Sequence, residues 1–173
     1  MKKLYIIRHA KSSWKDTTLS DFDRPLNKRG KHNSKFMGEL LAQKNIKPDI
    51  ILASSAKRAY STAKNIAKVI GYSKQKIHFS TKMYESSIST LVELIRSIDN
   101  KNHTAFIIGH NPTLNCLLDA LVPYNSIDNI VTAGVVELEL DIDRWEDLSH
   151  QTTKLISFEY PKKYLTSYNT YQL

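Results

Sequence analysis

Four side chains in this sequence have the chemistry to grip and accept a phosphoryl group: Arg8 and His9 in LYIIRHAKSSW, Arg58 in SSAKRAYSTA, and His110 in AFIIGHNPTL. Arginine offers five N–H donors in a planar fork suited to the oxygens of a phosphoryl dianion. Imidazole is a nucleophile once one ring nitrogen is free of its proton. Each of the four stands at or just past the end of an apolar run, KLYIIR, DIILAS or HTAFIIGH. If those runs are parallel strands of one α/β sheet, all four emerge at the carboxyl edge, where such sheets bind ligands. Singly, a histidine after a strand is usually a hydrogen-bonded structural residue and an arginine at a helix start a surface one. Their joint placement carries the expectation.

The elements that must position them alternate along the chain. KLYIIR predicts a strand, and NKRGKHNSKFMGELLAQKN a helix with Phe36, Leu40 and Leu41 on one side, capped by Asn27 or the turn before it. DIILAS predicts a second strand. KRAYSTAKNIAKVI then lines Ala59, Ala63, Ile66, Ala67 and Ile70 along one helical face and stops at Gly71. A short KIHFST strand, a helix through SISTLVELIRSID, the HTAFIIGH strand and a helix opening at NPTL, with Pro112 in its first turn, complete the series. Such alternation implies βαβ units with parallel pairing. VTAGVVELELDID and TTKLISFEY, joined by a turn around Asp143 to Asp147, alternate apolar and polar residues and predict an antiparallel edge pair. The expected fold class is α/β, a single domain over 1–173 with a mixed, mostly parallel sheet flanked by helices. Tyr160, Tyr164, Tyr168 and Tyr171 approach a helical stripe, expected to pack onto the body.

Bulk properties narrow the function classes. The chain has 173 residues, 41% hydrophobic and 24% charged, and no apolar run nears the ~20 residues of a membrane helix. The apolar stretch behind the two N-terminal lysines is too short for a secretory signal, so a cytoplasmic protein is expected. One cysteine, Cys116, excludes an internal disulfide and is expected to be buried as a small hydrophobe. Net charge is +8, which favours acidic partners. The basic residues form no block of five, so phosphorylated proteins or small phosphate esters are expected rather than nucleic acid. The six histidines make no HxxxH or HExxH pair, and neither GxxxxGK[ST] nor GxGxxG occurs. No metal and no cofactor are expected.

RHA at the first strand end, SSxxRAxxTA at the second and GHNP at the fourth resemble, in order and interval, the histidine phosphatase superfamily, also called phosphoglycerate-mutase-like. Small size, DFDRPLNKRG and MYESS resemble its SixA-type phosphohistidine phosphatases. The matches run from Lys3 to about Leu118. Ala10 stands where many relatives have the glycine of an RHG motif, and Lys15 where mutase-like members often have asparagine.

The resemblance makes His9 the nucleophile, Arg8 and Arg58 the grip on the nonbridging oxygens, and His110 a further donor. Nearby arginines should lower the pKa of His9, and a backbone carbonyl should fix its tautomer. Ser12 matches a position beside the phosphate and is either one more donor or an ordinary loop serine. Glu85 in MYESS matches the general acid, with Asp16, Asp21 and Asp23 as rivals and a site without an essential carboxylate as the alternative. Ser54 and Ser55 are expected to cap the helix bearing Arg58. The implied activity is metal-independent phosphatase chemistry. A phosphohistidine protein is the favoured substrate, because so short a chain leaves little room for a cap over the site. A small phosphomonoester and a noncatalytic phosphate-binding module are the alternatives.

Overall fold

A computed structural model describes residues 1–168, with side chains described to residue 164. Six strands form one sheet in the order β3-β2-β4-β1-β5-β6. They are β1 (Lys2–Arg8), β2 (Ile50–Ser54), β3 (His78–Ser80), β4 (Thr104–Gly109), β5 (Val135–Leu140) and β6 (Thr153–Glu159). The helices are α1 (Lys28–Gln43), α2 (Lys57–Ile70), α3 (Ile88–Arg96), α4 (Thr113–Leu121) and α5 (Pro161–Tyr168). β1 to β4 are mutually parallel, and β5 runs antiparallel to both β1 and β6. The mixed, mostly parallel sheet is as the alternation implied. One detail differs: of the expected edge pair β5 is interior, and only β6 lies at an edge, opposite the β3 edge. Val135, Val136, Leu138 and Leu140 of β5 are all buried, which is why that strand belongs inside the sheet.

Apolar runs buried on both faces explain why β1 and β4 sit at the centre. Leu4 and Ile6 of β1, with Ala105 and Ile107 of β4, join one core, completed by Leu91 and Ile95 of α3 and Leu114, Leu117, Leu118 and Leu121 of α4. Tyr5, Ile7, Phe106 and Ile108 face the other core, covered by Met37, Leu40 and Leu41 of α1 and by the expected stripe of α2. That α4 stripe turns Cys116 outward; it is exposed, not buried as expected. Asn27 caps α1 by accepting from the Gly30 N–H at 2.8 Å, and Gly71 closes α2 in the left-handed region at φ 73°. Of the tyrosine stripe, Tyr164 packs edge-on against Phe36 and donates to Glu159, whereas the Tyr168 side chain and Tyr171 lie outside the described residues.

The loop after β1 is clamped by the start of α1. Asn27 N–H donates to Lys11 O at 3.0 Å, and a Cβ on Gly30 would stand 2.0 Å from that same oxygen. Gly30→Ala is therefore expected to destabilise by about 1–3 kcal/mol through overpacking, although alanine at an open helix position would stabilise by up to ~1 kcal/mol. Chemical denaturation reads the sign; a more stable variant would show that the loop yields freely.

Candidate active site

Three neighbouring parallel strands, β2, β4 and β1, discharge their next residues at one edge. Arg8 pairs in register with Gly109, so His9 and His110 leave the sheet side by side, their rings 5.1 Å apart. The His9 N–H donates to Gly109 O at 3.0 Å, and the Ala133 N–H lies 3.2 Å from both Arg8 O and His9 O, fixing the turn. Arg58 arrives from the first turn of α2, just past β2. Arg8, His9, Ser12, Arg58 and His110 thus line one cleft of about 250 Å³, together with Trp14 and Arg24.

The ring of His9 is buried, with Nδ1 2.8 Å from the carbonyl oxygen of Ala10. A carbonyl only accepts, so Nδ1 carries the proton and Nε2 the lone pair. Nε2 faces the Arg58 Nε–H at 3.4 Å, which agrees with that tautomer. Burial first, then His110, Arg58 and Arg8, push the pKa of His9 down to about 3, against the opposing bond to Ala10. The arginines act in the expected direction, yet desolvation outweighs them. Ala10 N–H donates to Thr62 Oγ1 and the Thr62 hydroxyl to Arg58 O, tying the loop after β1 to α2.

His110 Nε2 lies 2.8 Å from Ser54 Oγ, and burial followed by Arg58 lowers its pKa to about 4. Ser54 Oγ also accepts from the Ala56 N–H at 3.2 Å. The N-cap of α2 is Ala56, without a side-chain cap, so Ser54 orients His110 in place of the capping role expected for it. Arg58 gives Nη1 to Asp21 O at 2.6 Å and Nη2 to Asp21 Oδ2 at 3.0 Å, which leaves two guanidinium hydrogens uncommitted. Arg8 donates from Nη1 to Ile130 O at 2.9 Å. Among the described residues, Arg8 Nε and His110 Nδ1 are the two buried side-chain polar atoms without a partner, and both belong to cleft residues.

Glu85 is exposed on a turn at φ 51° and is not among the residues that line the cleft. Its neighbour Tyr84 turns inward instead, edge-on to His110 at 5.7 Å, with its hydroxyl donating to Asp21 Oδ2 at 2.7 Å. That bond, with Arg58 and Arg24, lowers the Asp21 pKa to about 2 despite partial desolvation, so Asp21 is a charged brace at neutral pH and holds no proton to give. Asp16 and Asp23 are exposed and bond locally to Thr18 and Ser20.

The sequence reading passed over Arg24 and Trp14. Arg24 is buried, donates from Nη1 to Ser12 Oγ at 2.9 Å, pairs with Asp21 at 3.1 Å and stacks its Cζ 3.4 Å from the Trp14 ring centroid. Ser12 therefore accepts from Arg24 and keeps its own hydroxyl proton for the cleft. Trp14 remains 69% exposed at the rim. The signal was present, since Arg24 stands inside the DFDRPLNKRG segment. Its use depends on a fold that brings this loop back over Ser12. Among the described residues, no group of three or more His, Cys, Asp or Glu could hold a metal ion, and no helix is long and apolar enough to cross a membrane.

Two imidazoles and three guanidiniums thus surround one small cleft at the carboxyl edge of the parallel strands. A family model of the histidine phosphatase superfamily (branch 1) matches residues 4–94, and the chain belongs to that superfamily. A structure described as a SixA phosphohistidine phosphatase candidate from Agrobacterium tumefaciens superimposes with a TM-score of 0.79 at 26% identity, covering 92% of this chain and 98% of that one. The protein histidine phosphatase SixA complexed with tungstate gives 0.81 at 18% identity, over 94% and 99%. An uncharacterised chloroplast protein of Arabidopsis thaliana is 34% identical over 120 residues, 64% of this chain; the match spans about half of that relative, 54% of its length.

The two cleft histidines couple stability to pH. Their folded pKa values lie below the ordinary 6.5, so the unfolded chain takes up both protons first. Stability is full above pH ~6.5 and falls on acidification by ~1.4 kcal/mol per unit for each group, down to about 4 for His110 and about 3 for His9. Asp21 adds its own loss only below its ordinary 3.8. Thermal melts between pH 7 and 4.5 should show this slope, and a His9→Gln/His110→Gln variant should flatten it. Equal slopes would remove the histidines as its cause.

Proposed function

We propose that this protein hydrolyses phosphoryl groups through a covalent phosphohistidine on His9, and that its substrate is a phosphohistidine displayed on another protein. The observation that carries the reading is the unsatisfied pair, Arg8 Nε and His110 Nδ1, beside a histidine whose Nε2 carries a lone pair and no proton. Burying an unpaired polar group costs roughly 1–3 kcal/mol, and a bound oxyanion supplies the missing acceptors. The SixA relative described with tungstate holds a tetrahedral oxyanion of this kind.

In the reaction, Arg8, Arg58, His110 and the Ser12 hydroxyl grip the nonbridging oxygens, which neutralises charge where it develops. The Nε2 lone pair of His9 bonds to phosphorus as the bond to the leaving group breaks, and its electron pair departs with that group. The Nδ1–H bond to Ala10 O supports the positive charge the ring then acquires. Water next attacks phosphorus, inorganic phosphate leaves, and His9 recovers its lone pair while the water's proton passes to solvent.

The described residues lining the cleft include no Asp or Glu, and Asp21 is held ionised. Once solvent has protonated its other ring nitrogen, a phosphohistidine releases neutral imidazole and needs no proton from the enzyme, whereas an alkoxide does. That favours a phosphoramidate over a sugar phosphate. The shallow cleft, with Trp14 standing at its rim, suits a side chain presented by a protein surface.

Rapid quenching after exposure to phosphoramidate should trap an acid-labile, base-stable phosphoryl label on the wild type, and His9→Ala should lose it along with at least ~10³-fold in turnover. Equal labelling of both proteins would refute the nucleophile. Phosphohistidine and aryl phosphate should react faster than alkyl phosphates, and Glu85→Gln should keep its rate within about threefold. A large loss in Glu85→Gln would reinstate that carboxylate.

A further inference from the structure

Beside the cleft, and sharing Arg8, Lys11 and Thr132 with it, lies a second, larger hollow of about 480 Å³. Its remaining wall comes from the first turns of α1, which bring Arg29 and His32, and from the β6–α5 junction, which brings Tyr160 and Lys162. Among the described residues, no acidic side chain lines it. Arg29 and His32 are exposed, and among the described residues their side chains and that of Lys11 make no ion pair or hydrogen bond. Arg8, Lys11 and Arg29 thus bring like charge to a concavity whose described lining carries no carboxylate. Such an arrangement focuses the field on an anion from outside.

We infer that this hollow is a subsite for acidic side chains that flank the phosphohistidine on the protein substrate. The inference rests on the proposed function and adds a sequence preference to it. Three features favour a carboxylate on a polypeptide. The hollow is about twice the volume of the catalytic cleft, more than a lone oxyanion needs. The Tyr160 ring and the Pro161 and Val131 side chains give it an apolar part against which the stem of a glutamate or aspartate can lie. Arg8 borders both spaces, so one ligand that fills both places its phosphoryl group and its carboxylate on either side of one guanidinium. The net charge of +8 draws acidic surfaces to the protein as a whole.

The test uses two matched phosphohistidine peptides, one with Glu and Asp on both sides of the histidine and one with Gln and Asn. Wild type should favour the acidic peptide by about tenfold in kcat/KM at low salt, fading as ionic strength rises. In Arg29→Gln/His32→Gln the ratio should fall to within about twofold, with each single variant between, and a thermal melt of each confirms the fold. A parallel binding arm uses His9→Ala and the same peptides carrying a nonhydrolysable phosphoryl-triazole, read by fluorescence anisotropy. That arm requires no chemistry. Acid-selective binding without turnover would leave the subsite standing and sink the reaction proposed above. Rapid turnover of both peptides at equal rates, or an acidic preference that survives in the double variant, would overturn the subsite. A preference for small bisphosphate over monophosphate esters, with none among peptides, would overturn its assignment to protein substrates.

Discussion

The bond from His9 Nδ1–H to the carbonyl of Ala10 is the contact on which the chemistry of this site depends. A buried imidazole has two neutral tautomers, and only one leaves the lone pair on the nitrogen that faces Arg58. The carbonyl selects it because a carbonyl oxygen cannot donate. The register of β1 against β4 makes that contact reproducible. Arg8 opposite Gly109 places the turn, the His9 N–H is spent on Gly109 O, and the Ala10 N–H on Thr62. Little freedom remains for the ring. Burial then keeps it neutral far below physiological pH, so its lone pair is available without a general base to remove a proton.

The same burial sets an electrostatic conflict that the structure answers from one side only. Arg8 and Arg58 both line the cleft, close to two imidazoles that burial first and these guanidiniums second keep uncharged. Asp21 balances Arg58 and Arg24, held in turn by Tyr84, and is half-exposed, so it anchors the guanidiniums without cancelling the field inside the cleft. Breaking that brace would free Arg58 to rotate. Arg8, by contrast, has only the Ile130 carbonyl and an unsatisfied Nε. One arginine is thus braced by a carboxylate with two hydrogens uncommitted, and the other is held by a single carbonyl with its buried Nε unpartnered.

What could be read beforehand divides along a physical line. The apolar periods of β1, β2 and β4 and the stripe of α2 are decided by burial, a local property of the sequence, and those elements lie where the pattern put them. Arg8, His9, Arg58 and His110 were legible for the same reason, because strand ends deliver them. Glu85 was not, since whether a residue on a turn faces in or out depends on one backbone angle, and here Tyr84 takes the inward place. Cys116 failed more simply. An apolar-looking run on a helix still has a wet side, and the core stripe of α4 consists of leucines. Arg24 eluded the reading because its partners, Ser12, Asp21 and Trp14, meet only once the loop folds back.

That loop also bears on how such a site discriminates among substrates. A cleft walled by guanidiniums, imidazoles and a hydroxyl recognises the phosphoryl group itself, which every phosphate ester and phosphoramidate presents alike. Selectivity within the cleft must come from the leaving group, and without a lining carboxylic acid it runs toward groups that depart unaided. Selectivity beyond the cleft must come from the surfaces next to it, the Trp14 rim on one hand and the basic hollow behind Arg8 on the other. Neither is needed for the bond-breaking step, so each can vary without loss of the catalytic core. Chemistry common to a superfamily and recognition particular to one member thus occupy separate parts of the same sheet edge.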